Sequence, residues 1–182
     1  MRGVSTLALV SLCLLLLLAP SVPAAEEENG KDLWDEVGIE RIGPSDAPPF
    51  SIRGVDGKKV TLDDFKGKVV FLNFWATWCP PCKEELPAME ALHKKLADKG
   101  LAVVAMNDYE PRQKVLDFLA ETPYTFTVLI DEEGGASERY RALVLPTTFI
   151  IDREGKVIGR AYGVRDWDSE MSIKLFGEIL GI

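Results

Sequence analysis

Cys79 and Cys82, separated by Pro80 and Pro81, are the residues with the most chemistry in them. Thiols at this spacing can cycle between dithiol and disulfide, or supply half of a zinc site. Zinc wants two further ligands. The chain offers one histidine, His93, eleven residues beyond Cys82, and one other cysteine, Cys13, inside an N-terminal apolar run. A resident metal is therefore not expected, and no other cofactor is implied. A purely architectural bridge is the weaker reading of the pair, since closing so small a loop constrains the unfolded chain little.

A thiol attacks as thiolate, and an ordinary cysteine, with a pKa of about 8.5, is mostly protonated at neutral pH. Its surroundings must therefore lower that pKa. Val69 to Trp75 is nearly all apolar and β-favouring, which predicts a strand buried on both faces. Leu86, Met89, Leu92 and Leu96 then recur at helical spacing from Lys83 to Lys99, and Gly100 ends the run. Cys79 thus falls between the end of a strand and the start of a helix, where unpaired amides and the positive end of the helix dipole favour a thiolate. Pro80 and Pro81 pre-set helical φ and carry no N–H, so the Cys82 amide becomes the nearest helical donor to the Cys79 sulfur. Cys79 is expected to be the exposed nucleophile. Cys82, one turn deeper, is expected to be the resolving thiol, with a Cys79–Cys82 disulfide as the oxidised state.

The elements around this core read as α/β. Phe50-Ser51-Ile52 and Lys59-Val60-Thr61-Leu62 flank Asp56-Gly57, a hairpin signal. Downstream come a strand at Leu101 to Met106, a helix entered through Pro111 and a strand at Phe126 to Ile130. They are followed by a short helix at Ala136 to Arg141, strands at Thr147 to Ile151 and Val157 to Tyr162, and a last helix over Ser169 to Leu180. Alternating strands and helices that finish in a hairpin and helix predict one sheet with mixed strand directions.

The N-terminus differs in kind. Arg2, an apolar run from Leu7 to Ala19 and the small-residue end Val22-Pro23-Ala24 predict a secretory signal over 1–24, cleaved after Ala24. An uncleaved membrane anchor is the alternative, although the run is shorter than the roughly 20 residues a spanning helix wants. Cleavage would leave Cys79 and Cys82 as the only cysteines. Residues 25–43 read as an acidic tether and a short helix with Leu33, Trp34, Val37 and Ile42 as its apolar positions, and 44–182 as the domain. The net charge of −8 argues against a nucleic-acid partner. Nothing in the sequence requires more than a monomer.

Asn73-Phe74-Trp75-Ala76-Thr77-Trp78-Cys79-Pro80-Pro81-Cys82 resembles the TlpA/ResA-like branch of the thioredoxin superfamily. Gly67-Lys68-Val69-Val70 before it and Leu145-Pro146-Thr147-Thr148-Phe149, about 65 residues after it, extend the likeness from about Pro44 to the C-terminus. The resemblance implies a thioredoxin-like α/β fold, with a mixed central sheet flanked by helices and an N-terminal β-hairpin extension. It implies a cis bond before Pro146, with the Leu145 backbone presented to an extended substrate segment. Trp78 and Pro80 would complete the substrate face. Thioredoxin has a buried Asp six residues before the first cysteine; here that position is Asn73, which takes no proton. ResA-like proteins use a Glu three residues after the second cysteine, and Glu85 stands there. Trp75 reads as core, Pro87 as a kink in the first helix, and Trp167 as cap and anchor of the last helix.

The activity so implied is that of an exported thiol–disulfide oxidoreductase in the periplasm or another extracytoplasmic space, serving redox homeostasis. It would be a reductant of disulfides in other exported proteins, apocytochrome c during cytochrome c maturation among them, with electrons drawn from a membrane thiol–disulfide relay. A net oxidant or isomerase is an alternative, as is a peroxiredoxin-like peroxidase, which wants Thr where Ala76 stands. A metal-binding or docking module is the non-enzymatic alternative.

Overall fold

The structure, a computed structural model, describes residues 32–182. Eight strands form one sheet in the order β1-β8-β7-β4-β5-β6-β2-β3. Its centre is β4 (Val69–Trp75), all of whose residues are buried. β4 runs parallel to β5 (Leu101–Asp108), which runs parallel to β6 (Thr127–Asp131). On the other side β7 (Thr147–Ile151) pairs antiparallel with β4, and β8 (Lys156–Tyr162) antiparallel with β7. The predicted hairpin, β2 (Ser51–Gly54) and β3 (Lys59–Thr61), joins the far edge through β6. The sheet is mixed, as its alternating elements require.

Residue parity along β4 decides which side chains meet which helix. Val69, Phe71 and Trp75 face one core, with α2 (Pro80–Leu96), α3 (Arg112–Glu121) and α5 (Glu170–Leu180). Val70, Leu72 and Phe74 face the other, with α4 (Gly135–Tyr140). Successive side chains of a strand alternate between faces, so Asn73 belongs to the α2 side. It is a polar residue in an otherwise apolar strand, and it is fully buried.

The short N-terminal helix is confined to α1 (Leu33–Val37), where Trp34 and Val37 are buried and Gly38 closes the helix in the left-handed region. Ile42 is not on that helix. It lies in β1 (Glu40–Asp46), an edge strand on β8, where the sequence pattern predicts the end of the short helix. Its residues Glu-Arg-Ile-Gly-Pro-Ser-Asp show no apolar alternation. Pairing instead rests on backbone bonds and on two cross-strand ion pairs, Arg160–Glu40 at 2.7 Å and Lys156–Asp46 at 2.6 Å. The pairing register shifts between Arg41 and Ser45, where Gly43-Pro44 falls. A proline is tolerated there because the strand is an edge. Gly159 of β8 makes room for α1: a Cβ at that position would come within 2.5 Å of the Trp34 ring.

The predicted signal over 1–24 and Cys13 lie outside the described residues. Among the described residues, no helix is long and apolar enough to cross a membrane.

Candidate active site

Cys79 is the N-cap of α2, in extended backbone conformation, and Pro80 and Pro81 fill the first two helical positions. With neither proline able to donate, the first available amide is that of Cys82, and it donates to Cys79 Sγ at 3.2 Å. The two cysteines form a disulfide with Cα atoms 5.3 Å apart. Cys79 is less exposed than expected. In the disulfide its accessibility is 3% and that of Cys82 is 0%. The difference between the two is small, and Cys79 is nearly covered and bonded to the residue beneath it. The open neighbour is Trp78, 61% exposed.

The β4–β7 register pairs Phe74 with Thr147. Continued one step, it sets Pro146 opposite Trp75, at the end of the sheet from which the cysteine loop leaves. The Leu145–Pro146 bond is cis. The Pro146 carbonyl is taken by the Gly163 N–H at 2.8 Å, and Thr147 Oγ1 donates to the Val144 carbonyl at 2.6 Å. Among the described residues, the Leu145 backbone takes no turn or ladder hydrogen bond. Leu143 is 87% exposed and Val144 is also exposed, so an apolar strip leads into the cis proline.

One turn beyond Cys82, Glu85 is 1% exposed, whereas Glu84 beside it is solvated. The helical offset of three residues puts Glu85 on the same face as Cys82, under the sheet. Its Oε1 accepts from Asn73 Nδ2 at 2.7 Å. Its Oε2 accepts from Trp167 Nε1 at 2.9 Å and, more distantly, from the Arg165 N–H at 3.4 Å. Burial disfavours the charge and pushes its pKa up to about 7, against the pull of Trp167, Asn73 and Arg165 in the other direction. Asn73 takes no proton itself, but it holds the group that can; it also donates to Thr148 Oγ1 at 3.0 Å. Trp167, read from sequence as cap and anchor, is a fully buried donor to this carboxylate, while Ser169 caps α5 through the Ser172 amide.

A second buried carboxylate escaped the sequence reading. Glu110, after β5, accepts from the Thr77 N–H and the Thr77 hydroxyl at 2.6 Å each, from Asn107 Nδ2 at 2.8 Å, and pairs with Lys114 at 2.7 Å. Burial opposes its charge, but Lys114, Thr77 and Asn107 together outweigh it and hold the carboxyl below its ordinary range. Glu110 fixes the loop that carries Trp78 and Cys79. The available signal was position: Asn107 stands near the end of an apolar strand, and Glu110 just after it, at the same sheet end as the cysteines.

Pro80 and Pro87 lie on the exposed side of α2, which continues through Pro87. Trp75 is core, its ring tilted against that of Phe118 with centroids 5.4 Å apart. His93 is half-buried and edge-on to Phe126. No group of three or more potential metal ligands occurs among the described residues.

The chain is similar to several known proteins. The chain is 43% identical over 118 residues to the thiol-disulfide oxidoreductase ResA of Bacillus thuringiensis subsp. konkukian, covering 65% of this chain and 68% of that one. It is 47% identical over 125 residues to the thioredoxin-like protein YneN of Bacillus subtilis, covering 67% and 71%. Among solved structures, a candidate thiol:disulfide interchange protein DsbE from Chlorobium tepidum superposes with a TM-score of 0.72 at 37% identity, over 78% of this chain and all of that one. The AhpC/TSA family profile matches residues 44–160. With a helix-capping Cys-Pro-Pro-Cys disulfide on a thioredoxin-like sheet, the chain belongs to the AhpC/TSA family and is a thiol–disulfide oxidoreductase.

Proposed function

We propose that this protein is an exported reductant of disulfides in other exported proteins, with Cys79 attacking, Cys82 resolving and Glu85 taking the Cys82 proton. The observation that carries the reading is Glu85: a buried carboxylate, one turn beyond Cys82, whose acidity is moved to near neutrality. A general base works best with a pKa near the working pH.

In the reaction, the Cys79 thiolate attacks one sulfur of a client disulfide, and the other client sulfur leaves as thiolate. Cys82 then gives its proton to Glu85 and attacks Cys79 Sγ. The Cys79–Cys82 disulfide forms, the second client thiolate leaves, and two electrons have passed from protein to client. The open Leu145 backbone, the apolar strip of Leu143 and Val144 before it and the exposed Trp78 next to Cys79 suit an extended client segment, which would add beside the cis proline as a strand. Pro80 borders the same face.

The leader-like start of the sequence supports export, with a retained anchor as the alternative form. The resemblance to ResA-like proteins supports a membrane thiol–disulfide relay as electron donor and apocytochrome c as a client. The direction of transfer is tested by the reduction potential of the Cys79–Cys82 couple in a glutathione or dithiothreitol redox buffer. A value near −270 mV, that of thioredoxin, is expected; one at or above about −180 mV would make the protein an oxidant in an oxidising compartment.

A further inference from the structure

Trp167 has a partner that its place before the last helix does not explain. Ser169 already caps α5, so the indole is not needed there, and its N–H goes 2.9 Å to Glu85 Oε2. The ring is locked from behind, edge-on to Phe71 at 4.7 Å, and Phe71 lies two residues before Asn73 on β4. The loop carrying it, residues 163–169, is tied down at two further points. The Arg165 guanidinium donates through Nε at 3.1 Å and Nη2 at 3.0 Å to the carbonyl of Gly38, which closes α1. Ser172 Oγ donates to the Asp166 carbonyl at 2.7 Å. Asn73 thus holds one carboxylate oxygen and Trp167 the other, each from a fixed frame.

We propose that Trp167 is a positioning residue for proton transfer from Cys82: its indole N–H fixes the Glu85 carboxylate and favours its ionised form, so governing when Glu85 accepts the proton. The inference rests on the reading of Glu85 given above. An indole N–H only donates, so it stabilises a carboxylate more than a carboxylic acid. Removing it leaves the burial cost of the charge with less to offset it. The titratable or charged groups facing Glu85 are Cys82 from its own helix and Arg165 from the loop; β4 presents Asn73 and β7 presents Thr148, neither of them charged. Asp166 and Asp168, on either side of Trp167, are exposed.

The test compares wild type, Trp167→Phe and Glu85→Gln in the pH profile of insulin-disulfide reduction. It adds the indole N–H signals of the oxidised wild-type protein, followed by NMR against pH. Trp167→Phe is expected to move the alkaline-rising midpoint up by about one pH unit with the high-pH plateau kept, the size set by loss of one charge-assisted hydrogen bond. Glu85→Gln should abolish that midpoint. The Trp167 indole signal should titrate near pH 7 and become flat in Glu85→Gln. If Glu85→Gln keeps the wild-type midpoint, Glu85 is not the acceptor and the functional reading above fails. If Glu85→Gln abolishes it while the Trp167 signal does not titrate or the Trp167→Phe profile superimposes on wild type, this inference alone fails. Should Trp167→Phe not fold, the indole titration in the unmodified protein decides.

Discussion

At the scale of single residues, the site depends on how two buried carboxylates are solvated by protein. Glu110 has four donors from three residues, one of them a lysine, and stays ionised; Glu85 has three donors and no lysine, and burial wins. This has a consequence for stability. The folded oxidised protein holds the Glu85 proton up to about pH 7, whereas the unfolded chain releases it near 4.5. Stability from this group is therefore full below about pH 4.5 and is lost as pH rises to 7. A shift of this size corresponds to roughly 3 kcal/mol. Urea unfolding of the oxidised protein should show a loss of that order between pH 4.5 and 8, and Glu85→Gln should remove most of the difference. An unchanged pH dependence in the variant would mean that Glu85 does not titrate in this range. Glu85 was visible in the sequence as the third residue after Cys82, because helical geometry is local. Its partner Trp167 was not, being 82 residues away and brought in by β8 and the loop behind it.

At the scale of elements, β4, β5 and β7 could be read directly because burial on both faces writes a largely apolar, β-favouring run. The start of α2 was equally plain, since two prolines after a potential cap leave few conformations open. β1 could not be read that way. It is an edge strand whose residues face solvent on most positions, and its partner lies more than a hundred residues downstream. What fixes it is contact: α1 lays Trp34 on the bare backbone of Gly159, and Arg165 binds the α1 terminus. Gly159→Ala should therefore cost about 1–3 kcal/mol by overpacking against Trp34, measured as a lowered urea midpoint. Combining it with Trp34→Ala, which opens the space, should leave no further loss from the added methyl. An unaffected Gly159→Ala midpoint would mean that α1 does not pack on β8 as described.

At the scale of the whole molecule, one end of the sheet gathers everything the chemistry uses. The parallel strands β4 and β5 end there, β7 begins there, and β8 returns to it, so the cysteine loop, the Glu110 clamp, the cis proline and the Trp167 loop converge from four connections. Mixed direction in the sheet is what permits this, because an antiparallel β7 brings Pro146 to the end where β4 delivers Cys79. The fold class was readable from element order, whereas this convergence needed the strand order. The central claim is that the two cysteines are unequal. The most direct measurement is mass spectrometry of the Cys82→Ser and Cys79→Ser proteins after reaction with a disulfide-containing client. Cys82→Ser should accumulate a client joined through Cys79, and Cys79→Ser should accumulate none. Equal trapping by both variants, or trapping through Cys82 alone, would contradict the assignment.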